Sequence, residues 1–88
     1  MNAPAIFPPP SIVSIVADRQ RQVDEWGHTP AGDARQSLMQ LPILAREVIG
    51  GVIDDIQFHK PHAQMRRRAV KAAALLVAFI DRLDAEDA

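Results

Sequence analysis

The chain has 88 residues, ten basic and eleven acidic, and a formal net charge of −1. So nearly neutral a molecule has no overall field to gather nucleic acid, and any electrostatic role has to be local. Without cysteine there is neither a disulfide framework nor a thiolate metal site.

A domain of this size buries about 60–65% of the surface its unfolded chain exposes, so its own core is marginal and a partner subunit would help. No apolar run approaches the 18–20 residues or so of a membrane span. The first residues lack the basic flank and apolar block of a secretion signal. The expected location is cytoplasmic, with no membrane partner.

Residues 1–10, "MNAPAIFPPP", read as a disordered tail, because Pro4, Pro8, Pro9 and Pro10 favour extended backbone. Residues 11–88 then form a single helical domain. Ser11 is placed to cap a helix running to about Trp26. Along it Ile12, Val16 and Val23 fall close to one face, with Ile15 and Trp26 beside it. Gly27 suits a left-handed C-terminal position and Pro30 stops any continuation.

Asp33 and Gln36 have capping-box spacing, which predicts a short helix from Asp33 to Gln40. A longer one follows from Pro42 to about Phe58; in the alternative, Pro42 kinks one continuous helix. Leu41, Ala45, Val48, Val52 and Ile56 make an apolar stripe. Gly50 and Gly51 interrupt the helix interior at about 1 kcal/mol each, so either the close approach of another backbone or a local break is expected there.

After the turn "HKPH", Pro61 opens the last helix, predicted to run to about Asp84. Met65, Ala69, Ala72, Leu76, Phe79 and Leu83 form a heptad seam widened by Ala73 and Ile80. The fold class is therefore all-α: a bundle of three to four helices with a long C-terminal antiparallel hairpin.

Three clusters invite chemistry. Arg66, Arg67 and Arg68 are about 100° apart in turn and do not all face one ligand; Arg67 and Lys71 share a face, with Arg68 alongside. They either solvate a helix flank or hold an anion. Glu47, Asp54 and Asp55 are the acids available to a divalent cation, but Glu47 and Asp54 stand about 10 Å apart along one axis, and the last helix brings no acid opposite. Ion pairs to Arg67, Arg68 or Lys71 across the hairpin are their simpler role. His59 and His62 flank a turn without the second pair that a four-ligand metal site needs. His28 lies near Asp24 and Asp33, yet no motif positions a nucleophile, and no catalytic residue is assigned.

"VADRQRQVDEWGHTP", "ILAREV" and "MRRRAVKAAALLVAFIDRLD" together resemble small bacteriophage and prophage proteins similar to the MazG-like branch of the all-α nucleotide pyrophosphohydrolases. The likeness covers roughly residues 15 to 84. It implies a helical bundle that pairs through its long helices into a dimer or higher homo-oligomer. It also implies magnesium-dependent cleavage of a nucleoside triphosphate to the monophosphate and pyrophosphate.

That family holds its metal with Glu-Glu-x-x-Glu on one helix and Glu-x-x-Asp on the next. Matched here, those positions fall on Arg46, Glu47 and Gly50, and near Arg68 and Lys71. Only Glu47 keeps its acid, and reversing the sign of such a site removes the means to gather magnesium. The expectation is a non-catalytic binding protein without a cofactor. Arg67, Arg68 and Lys71 are its contact residues and Trp26 an apolar anchor; the partner is a host or defence protein, or a small anion such as a nucleotide. The alternative is a divergent magnesium-dependent pyrophosphohydrolase using Glu47, Asp54 and Asp55.

Overall fold

The computed structural model describes residues 7–26, the side chain of Trp26 excepted, and 38–87. The chain is all-α, with three helices and no strand among the described residues: α1 (Pro10–Trp26), α2 (Gln40–Gln57) and α3 (His62–Asp87). The cap at Gly27 and residues 33–37 of the predicted short helix lie outside the described residues; that helix does not extend to Gln40, since Leu38 and Met39 form a turn and Gln40 opens α2.

α3 is the central element. It packs against α2 on one side and α1 on the other, and α1 and α2 do not pack on each other. α2 and α3 form the expected antiparallel hairpin. Its apolar core joins Leu41 and Ala45 to Leu75 and Ala78, with Leu44, Val48 and Phe79 against it.

Helix boundaries follow from backbone chemistry. α1 begins one residue before Ser11: the Pro9 carbonyl accepts from Ile12 and Val13 at 3.0 and 3.1 Å, and Pro10 takes the first helical position, where its missing N–H costs nothing. Ser11 is therefore inside the helix rather than its cap. Pro42 is the third residue of α2, and the first backbone bond of that helix runs from Ile43 to Met39 at 3.0 Å. In the first turn no N–H has a partner to lose, so Pro42 begins a helix and does not kink one.

The α2–α3 turn closes with Lys60 N–H on the Asp55 carbonyl at 2.9 Å and His59 N–H on that of Ile56 at 3.3 Å. These are the paired bonds of a Schellman motif, with His59 at the left-handed position, φ 54°. α3 runs to Asp87, three residues beyond the predicted Asp84, and in its last turns Arg82 pairs with Glu86 at 3.2 Å.

Two predicted faces are corrected. On α3 the buried residues are Ala72, Ala74, Leu75, Ala78 and Arg82, whereas Leu76, Ala69 and Ile80 of the expected seam are exposed. With a neighbour on each side, the buried arc centres on Leu75 and Ala78, one residue before the seam that large side chains suggest. On α1, Ile12 and Val16 are exposed while Arg19 and Gln22 are buried. Arg19 reaches Asp81 of α3 at 3.5 Å, and Arg66 donates to the Ser14 hydroxyl at 2.9 Å. The α1–α3 contact is therefore held partly by polar groups.

The stripe on α2 holds for Leu41, Ala45, Val48 and Val52, but its last buried position is Asp55, with Ile56 outside. Spacing of 4-3-4-3 keeps a straight helix on one face, and Asp55 continues that register where Ile56 leaves it.

Candidate functional site

At the turn end, the hairpin seam is polar. Asp55 is 3% exposed, and its Oδ1 accepts from Arg68 Nη1 at 2.8 Å and from Gln64 Nε2 at 2.9 Å. Arg68 Nη1 also donates to the Gly51 carbonyl at 2.9 Å. Arg68 spans the hairpin, and Gly51 is what lets it. A Cβ on Gly51 would stand 2.9 Å from Nη1, whereas a Cβ on Gly50 would meet nothing within 4 Å. The helix is unbroken at the glycine pair, and what approaches is a side chain rather than another backbone, at Gly51 and not at Gly50.

Beyond this clamp lies a groove between α1 and α3. One part, about 280 Å³, is lined by Asp18, Arg21, Arg67, Arg68 and Lys71. An adjoining part, about 340 Å³, shares Asp18, Arg21 and Arg67 and adds Ser14, Ala17, Arg66 and Val70. Neither part is lined by all three consecutive arginines, in keeping with their angular spacing: Arg66 and Arg67 border one, Arg67 and Arg68 the other. Arg67 stands in the middle, Arg66 at one end and Arg68 at the other.

Electrostatics favour an anion. Asp18 is the one acid lining either part, and it accepts from Arg21 Nε at 3.0 Å. Arg21 also pairs with Glu25 at 2.7 Å. The Asp18 hydrogen bond above all raises the Arg21 guanidinium beyond its ordinary value, so this cation is fixed at any accessible pH. Arg68 is matched by Asp55. Arg67 has no hydrogen-bond or ion-pair partner among the described residues, and Arg66 donates to the neutral Ser14 hydroxyl, so these two leave the groove with a surplus of positive charge.

The proposed acids do not assemble. Glu47 and Asp54 are exposed, and Asp55 is buried with a guanidinium against it. No group of three His, Asp or Glu residues able to hold a metal exists among the described residues. A magnesium ion would need several converging oxygens, and here the one buried carboxylate already faces a cation. The residues present do not fit that metal. His59 and His62 are exposed at the turn. Trp26 ends α1 with its side chain outside the described residues, and His28 also lies outside them.

Arg67, Arg68 and Lys71, chosen from sequence, do come together. Arg21, Asp18, Ser14 and Arg66 complete the walls. Their signal was the Asp18–Arg21 spacing of one helical turn, legible as an ion pair but silent about what it would face. Among the described residues no helix is long and apolar enough to cross a membrane. No protein-family model, no curated protein and no solved structure matches this chain.

Proposed function

We propose that this chain is a non-catalytic helical binding module that holds a small phosphate-like anion in the groove between α1 and α3. Arg67 and Lys71 supply the charge, Arg66 and Arg21 border it, and Arg68 is kept in place by Asp55 and the Gly51 carbonyl. The observation that carries the reading is that four cations besides Arg21 line adjoining clefts whose lining contains one acid, itself paired. Guanidinium groups present paired donors that match phosphate oxygens, and a lysine adds a mobile point charge.

On this reading the likeness to MazG-like phage and prophage proteins is one of helical scaffold without the metal chemistry. An acidic segment of a host or defence protein is the larger form the same charge could take. A phosphate-sized anion fits the clefts of a few hundred Å³ more closely. The pyrophosphohydrolase reading requires Glu47, Asp54 and Asp55 to converge, which the helix positions oppose.

The test is charge reversal. Arg67→Glu and Lys71→Glu are each expected to weaken binding of inorganic pyrophosphate at least tenfold, with helicity unchanged. Equal affinity in wild type and both variants would remove the proposal.

A further inference from the structure

A second cavity lies at the other end of the hairpin from the basic groove. It opens at the start of α2, encloses about 370 Å³ and is lined by Leu38, Met39, Pro42, Ile43, Arg46 and Phe79. All but one of these residues are apolar, and the exception is a cation. Phe79 and Arg67 stand about 18 Å apart along the axis of α3, so cavity and groove are separate sites.

Helix geometry explains why the lining converges. Met39, Pro42, Ile43 and Arg46 follow one another at spacings that stack them on one face of α2. Side chains on a helix lean toward its N-terminus, so the Arg46 stem lies back over Pro42 and Ile43. Phe79 closes the cavity from α3, where it also packs against the apolar core of the hairpin. Met39 is 67% exposed at the mouth, and its unbranched chain can follow the shape of what enters.

Charge at this site is unbalanced. Arg46 has no hydrogen-bond or ion-pair partner among the described residues, and no acid lines the cavity. The first turn of α2 carries no acidic residue, and Met39 at the N-cap supplies no side-chain cap bond. The positive end of the helix dipole therefore faces the same mouth as the guanidinium. An exposed arginine is ordinarily a solvated one; this arginine borders an apolar hollow.

We infer that the cavity binds a small amphiphilic carboxylate, with its hydrocarbon body against Pro42, Ile43 and Phe79 and its head on Arg46. A guanidinium offers a carboxylate two parallel bonds, and the helix end adds to the attraction. A neutral hydrocarbon would leave the cation unused, and a small hydrated anion would leave the apolar wall unused.

Size narrows the class. At about 30 Å³ for each water-sized group, the cavity holds about twelve of them. A straight-chain carboxylate of about ten carbons is that large. A peptide segment would insert no more than one side chain.

The probe is decanoate, titrated calorimetrically into the chain below the concentration at which it forms micelles. One decanoate is expected to bind per chain. Decanol, which has the tail without the charge, and acetate, which has the charge without the tail, are each expected to bind about fivefold more weakly or worse. Each methylene removed from the probe should cost about two- to fourfold in affinity. Arg46→Gln is expected to weaken decanoate by about fivefold or more and to leave decanol unchanged. Met39→Asp puts a carboxylate at the mouth in a residue that suits an N-cap, so helicity should hold while decanoate affinity falls. Pyrophosphate binding in the groove is expected to be the same in both variants, which keeps the two sites distinguishable. Absence of decanoate binding overturns the inference, as does decanol or acetate binding as tightly as decanoate. Unchanged decanoate affinity in Arg46→Gln or in Met39→Asp overturns it equally.

Discussion

Arg68 reaches across the hairpin to Asp55 at 2.8 Å, and the same nitrogen donates to the carbonyl of Gly51 at 2.9 Å. Asp55 is buried, whereas the Arg68 side chain keeps 42% of its exposure. The pair occupies a seam position that would otherwise take an aliphatic residue. It fixes one wall of the groove and neutralises the one buried carboxylate among the described residues.

Removing the arginine alone leaves that carboxylate with Gln64 as its remaining side-chain partner. A fully buried pair broken in this way costs about 3–5 kcal/mol, and partial solvent access to the guanidinium lowers that here to about 2 kcal/mol for Arg68→Ala. The double variant Asp55→Leu with Arg68→Leu replaces both charges with apolar seam residues. It is expected to recover most of the loss in urea denaturation at one fixed protein concentration. A double variant less stable than Arg68→Ala would contradict this view of the seam.

The two glycines of α2 separate cleanly. Gly50→Ala enters open space and is expected to stabilise by about 1 kcal/mol from helix propensity. Gly51→Ala gains the same propensity but pushes the Arg68 guanidinium away, forfeiting its bond to the Gly51 carbonyl. A charged hydrogen bond is worth about 1.5–3 kcal/mol when well shielded, and somewhat less at this exposure. Thermal melts should therefore place Gly51→Ala at least about 1 kcal/mol below Gly50→Ala. Equal gains from both would show that Arg68 does not depend on that approach.

His59 holds a left-handed backbone at φ 54° to close the turn. A side chain in that region costs roughly 1–2 kcal/mol, of which glycine's extra unfolded-state freedom returns part. His59→Gly is expected to stabilise by about 0.5–1 kcal/mol, measured by denaturant midpoint. A lower midpoint would mean the imidazole does more than occupy the turn.

These relationships explain what could be read from the chain and what could not. Proline positions and helix-length apolar periodicity announced the hairpin. The basic run "RRR" followed by Lys71 marked the groove wall. The seam itself was concealed because its positions at the turn end carry Asp55, Gln64 and Arg68. A search for hydrophobes therefore slides to Ile56 on α2 and to Leu76 on α3, which face outward. α1 misleads for the same reason: Ile12 and Val16 suggest a core face, while Arg19 and Gln22 are the residues buried. Local spacing reveals which residues share a face. It does not reveal which face a neighbouring helix will cover.

The central claim is that the groove is built for an anion and not for a metal that activates one. Calorimetric titration of inorganic pyrophosphate, with and without magnesium, tests it most directly. The account predicts binding in metal-free buffer, unchanged or weakened by magnesium because the cation competes for the ligand's charge, and lost in Arg67→Glu. Binding that appears only when magnesium is added, and disappears in Glu47→Ala, would contradict it.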